Sequence, residues 1–128
     1  MQLSIPESSL PVQEMFERFL ASESTPAVVR AAEPVGFDRR PWDQLVELEA
    51  PLLRTASAVG GGEMSLFDAC LMMQAAGRRL APVPLAESVV ALHLLGAIGG
   101  DEALKWIDEA RAGAVITLAV RTAQVGEA

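Results

Sequence analysis

Apolar side chains recur at helical spacing along most of this chain. Val12, Met15, Phe16, Phe19 and Leu20 fall at i, i+3, i+4, i+7 and i+8, which is one face of an amphipathic helix. Pro11 suits the first turn of that helix, and Ser24-Thr25-Pro26 stops it. A short helical turn is expected over 27–32, followed by a loop at Pro34 and Gly36. Asp38 is placed to cap the next helix, with Pro41 in its first turn, Trp42, Leu45, Val46 and Leu48 as its apolar surface, and Pro51 as its end. Residues 50–63 read as a loop in which Gly60-Gly61-Gly62 supply backbone freedom, a hinge rather than a chemical site.

Ser65-x-x-Asp68 resembles a capping box and opens a helix, LFDACLMMQAAGRRLA, that is apolar almost all round. That pattern predicts burial inside a bundle. Arg78, Arg79 and Pro82-Val83-Pro84 close it, the arginines favourable against the helix dipole. Residues 85–98 form a second nearly all-apolar helix ended by Gly99-Gly100. Asp101 and Glu102 open the last helix, Leu104, Ile107 and Ala110 mark its inner stripe, and Gly113 stops it. AVITLAV, 114–120, then changes to the β-branched run of a strand. The fold class is therefore all-α, an orthogonal bundle of about five helices with a short terminal β-strand. Within such a bundle that strand has no partner, so it is expected to pair with another chain or a following domain.

Composition narrows the function classes. The chain has 128 residues, 51% hydrophobic and 21% charged, which fits one globular domain. Ten basic against seventeen acidic residues give a net charge of −7, against a nucleic-acid partner. A single Cys, Cys70, excludes an internal disulfide framework, and a single His, His93, excludes a multi-histidine metal centre. The N-terminus shows no basic and apolar leader pattern, and the uncharged apolar run Ser88–Gly100 is too short to span a bilayer. A cytoplasmic protein without a membrane span is expected.

Individual residues mostly read as structural. Cys70 lies among Leu and Met with no histidine on its helix to activate it, so it reads as core. His93, between Leu92 and Leu94, reads as a satisfied core or pocket histidine, and Met72, Met73 and Trp42 as core. The glycine run lacks the context of a phosphate-binding loop. Arg39-Arg40 and Arg78-Arg79 read as solvated helix-end pairs. No paired carboxylates are evident, so no catalytic residue is assigned.

From about residue 10 to 120 the chain resembles the N-terminal α-helical domain of the acyl-CoA dehydrogenase family. The resemblance rests on Gly36-Phe37-Asp38-Arg39-Arg40-Pro41-Trp42-Asp43-Gln44-Leu45, on Val59-Gly60-Gly61-Gly62-Glu63-Met64-Ser65, on Gly77-Arg78-Arg79-Leu80-Ala81-Pro82-Val83-Pro84, and on the ending from Gly99 through Ala119. It implies a FAD-dependent oxidoreductase that removes hydrogens from Cα and Cβ of an acyl-CoA thioester. It also implies homo- or hetero-oligomerisation with dehydrogenase subunits and an electron-transfer acceptor as partner.

On this reading residues 1–113 are the helical domain, and 114–128 begin a middle β-domain. The flavin-binding motifs and the catalytic glutamate of the family are not found in the 128 residues, so inactivity in isolation is expected. By position, Leu85, Ser88, Val89 and Leu92 would line the acyl pocket. The alternative is a stand-alone, non-catalytic helical module that packs on dehydrogenase subunits. Two glycines of the family pattern are replaced by Glu49 and Glu63, and its proline and acids before the glycine run by Thr55-Ala56-Ser57-Ala58. These departures fit a divergent member, such as one partner of a heteromeric bacterial enzyme for bulky acyl-CoA substrates.

Overall fold

In a computed structural model, which describes residues 4–120, each helix begins where the sequence offers a cap or a proline and ends at a glycine or a turn. α1 (Leu10–Glu23) has Pro11 in its first turn, and α2 (Pro26–Ala32) is capped by Thr25, whose Oγ1 accepts from the Val28 amide at 3.4 Å. α3 (Arg39–Glu47) is capped by Asp38, whose carboxylate accepts from the Arg40 amide at 2.9 Å. α4 (Leu66–Arg78) is capped by Ser65, whose hydroxyl accepts from the Asp68 amide at 3.0 Å. α5 (Leu85–Ile98) follows Pro84, and α6 (Asp101–Arg111) follows Gly99 and Gly100, both at positive φ. Two short 3₁₀ turns, Ala50–Leu52 and Ser57–Val59, lie in the loop between α3 and α4.

The helices pack around two apolar clusters. The larger joins Phe16 and Leu20 of α1, Leu45 of α3, Ala50, Met72 and Ala75 of α4, and Leu85 and Val89 of α5. The smaller joins Leu52, Leu92, Ile107 and Ala110, with Ile116 of the C-terminal segment packed against it. Burying each large side chain of this set contributes about 1.5–3 kcal/mol. Polar ties fix the ends. The Ser24 hydroxyl donates to the Arg79 carbonyl at 3.0 Å, and the Asp38 amide donates to the Pro82 carbonyl at 3.0 Å. The Gly113 carbonyl accepts from the Trp42 indole at 3.1 Å and from the Arg39 guanidinium at 2.9 Å, joining α3 to the end of α6.

Four expectations are corrected. α4 is not buried all round: Ala69, Leu71, Met72 and Ala75 are buried, whereas Leu66 and Phe67 are exposed. Cys70 is on that exposed side and is not a core residue. The inner stripe of α6 is Ala103, Ile107 and Ala110, at i, i+4 and i+7 on one face, and Leu104 is turned away from that face and exposed. Residues 114–120 form no strand among the described residues, since a strand needs a ladder partner and nothing in the bundle offers one. No helix is long and apolar enough to cross a membrane, among the described residues.

Candidate functional site

α5 carries the four residues expected to line an acyl pocket, and it buries them all. Leu85 and Val89 are 2% exposed, Ser88 and Leu92 0%. Leu85 edges a hollow of about 220 Å³ between the end of α4 and the start of α5, lined by the apolar Met73, Ala76, Ala81 and Val83 and by Glu87. The Ser88 hydroxyl has no hydrogen-bond partner among the described residues. On the opposite side of α5, Val90, Leu94 and Ile98 are exposed at i, i+4 and i+8, an apolar stripe with no cover from the described residues.

The glycine loop, 59–64, packs against α5. It is pinned rather than hinge-like. The amides of Gly60, Gly61, Gly62 and Glu63 donate to the carbonyls of Ser57, Ala56, Leu52 and Thr55. A Cβ on Gly61 would overlap the Thr55 carbonyl, and one on Gly62 would sit 2.8 Å from the Leu53 carbonyl. The glycines serve close backbone approach, not freedom. Thr55 is fully buried, and its methyl would lie 2.8 Å from a Cβ on Gly96, so the loop touches α5 where α5 lacks a side chain.

Glu49 and Glu63 both adopt left-handed backbone, with φ of 55° and 50°. The turns thus keep a glycine-like geometry without glycine. The Glu63 Oε1 accepts from the Ser57 hydroxyl at 2.8 Å and from the Ser57 amide at 3.2 Å. These bonds, the hydroxyl first, hold its carboxyl below the usual carboxylate range. His93 Nδ1 lies 3.0 Å from the Arg54 carbonyl. A carbonyl only accepts, so Nδ1 donates and Nε2 is the open nitrogen. Arg54 was not evident as a site residue from the sequence. Glu63 was marked only as a departure from glycine.

The remaining candidates are structural. Arg39 pairs with Asp43 at 2.7 Å and Arg78 with Glu17 at 2.8 Å, both at the surface and each contributing at most about 1 kcal/mol. No group of three or more metal-ligating side chains forms among the described residues.

A family model described as acyl-CoA dehydrogenase, N-terminal domain, matches residues 6–107. The chain belongs to the acyl-CoA dehydrogenase family. The match runs from the start of the described chain into α6 and so takes in nearly the whole bundle. A curated relative, acyl-CoA dehydrogenase IpdE2 of Mycobacterium tuberculosis, is 35% identical over 100 residues, covering 75% of this chain and 31% of the relative. The chain therefore spans about a third of that relative's length. No solved structure matches the chain.

Acyl-CoA dehydrogenases generally use FAD. The residues of this domain do not by themselves fit it. The glycine-loop amides, the natural donors to a phosphate, are spent on their own loop. The first turns of α4, α5 and α6 carry Asp68, Glu87, and Asp101 with Glu102, which repel an anion.

Proposed function

We propose that this chain is the N-terminal domain of a FAD-dependent acyl-CoA dehydrogenase, contributing one wall of the acyl pocket and a packing surface, with flavin and catalytic base held by other segments. The family match over residues 6–107 carries this reading. The wall is α5. Leu85, Ser88, Val89 and Leu92 seat it on the core, and the apolar hollow edged by Leu85 is where an acyl chain meets it. The exposed stripe Val90, Leu94 and Ile98 is the surface for a neighbouring domain or subunit.

The segment 114–120 then becomes the first strand of a middle β-domain. Ile116 already packs on the bundle, while Val115, Leu118 and Val120 stay exposed for a sheet to cover. The acyl-CoA substrate, the oligomeric partners and the electron acceptor belong to the complete enzyme. The mass of the native polypeptide in source cells tests the domain reading. A product about two and a half times 13.6 kDa is expected, because the 100 matched residues are 31% of the relative's length. A native product of 13.6 kDa would instead make this a free-standing module that packs on dehydrogenase subunits.

A further inference from the structure

We propose that the hollow between the glycine loop and α5 binds a small zwitterion, Arg54 holding its carboxylate and Glu63 its ammonium group. The hollow has a volume of about 250 Å³ and is lined by Arg54, Ala56, Glu63, Met64, His93 and Ala97. Arg54 and Glu63 line the same space yet form no ion pair with each other. Each has its own anchor. Arg54 Nη1 donates to the Met64 carbonyl at 3.0 Å, leaving the rest of its guanidinium fork without a partner among the described residues. Glu63 Oε1 is held by Ser57, leaving Oε2 without a partner among them.

Opposite charges fixed apart by separate anchors form a dipolar site. A ligand with both charges satisfies both ends, whereas an anion or a cation alone meets one attractive and one repulsive group. The His93 Nε2, left open by the bond from Nδ1, is a third contact and an acceptor for an ammonium hydrogen. Glu63 keeps its carboxylate here on left-handed backbone, a conformation that a glutamate holds only when its surroundings over-determine it. Ala56, Met64 and Ala97 are apolar and leave room for a short aliphatic spacer, so the ligand class is a small amino acid. This inference stands apart from the dehydrogenase reading, since it uses neither the acyl wall nor the exposed stripe.

Titration of the 128-residue chain with glycine, β-alanine and γ-aminobutyrate, and separately with acetate and methylammonium, tests it by NMR of the Arg54 side chain and the His93 ring. At least one zwitterion is expected to bind about tenfold or more tighter than both half-ligands. The variants Arg54→Gln and Glu63→Gln are each expected to remove that preference. Equal affinity for zwitterions and half-ligands, or unchanged spectra across the series, overturns the proposal. The comparison of whole with half-ligands needs only the unaltered chain, so it does not depend on either variant folding.

Discussion

Ser88 lies at 0% exposure with a hydroxyl that bonds to nothing among the described residues, in the middle of an otherwise apolar face. An unpartnered buried hydroxyl costs about 1–3 kcal/mol. Ser88→Ala is therefore expected to raise the stability of the chain by about 1 kcal/mol in urea unfolding. A loss of that size would mean that the hydroxyl has a partner in solution. Glu63 shows the opposite behaviour. Its folded-state pKa is below the ordinary 4.5 because Ser57 bonds to the ionised form. Its contribution is present above the unfolded value and is lost as pH falls through the folded one. Glu63→Gln should then have a flatter stability profile than the parent below pH 4.5. Superimposable thermal melts of the two proteins through that range would contradict the clasp. Sequence alone marked Glu63 as standing where a glycine belongs, and the left-handed φ explains why. It could not mark Arg54, because an arginine in a loop looks the same whether it faces solvent or edges a hollow.

At the scale of elements, the helix boundaries were legible because caps act locally. Asp38 and Ser65 each bond an amide two or three residues on, so neither depends on the rest of the fold. Exposure was less legible. α4 is apolar on nearly every side, and periodicity cannot say that Leu66, Phe67 and Cys70 lie outside when no polar stripe breaks the pattern. The glycines were misjudged for a related reason. Freedom and close packing both select glycine, and only the loop's neighbours distinguish them. Two substitutions separate the cases. Gly61→Ala forces a Cβ into the Thr55 carbonyl and is expected to cost about 3 kcal/mol. Gly77→Ala, in α4 with open space around the new methyl, is expected to stabilise by about 0.5–1 kcal/mol. Similar effects at the two sites, measured by chemical unfolding, would show that the loop is a hinge after all.

At the scale of the whole molecule, two surfaces have no cover from the described residues: the stripe of Val90, Leu94 and Ile98, and the segment 114–120 with Val115, Leu118 and Val120 exposed. In the proposed function both are places where further domains or subunits would meet this bundle. The all-α class and the family were legible from motifs spread along the chain. The expected strand was not formed because nothing among the described residues offers it a ladder partner, and the four residues expected at an acyl wall could be placed on α5 but not oriented, since all four turn inward. The central claim is that this domain works inside a flavin-dependent acyl-CoA dehydrogenase. The most direct test is the visible spectrum of the native protein that carries it, recorded before and after adding a series of acyl-CoA thioesters anaerobically. A flavin spectrum that bleaches with at least one thioester, alongside a colourless isolated 128-residue chain, is the predicted result. A colourless native protein, or a flavin that no acyl-CoA reduces, would contradict it.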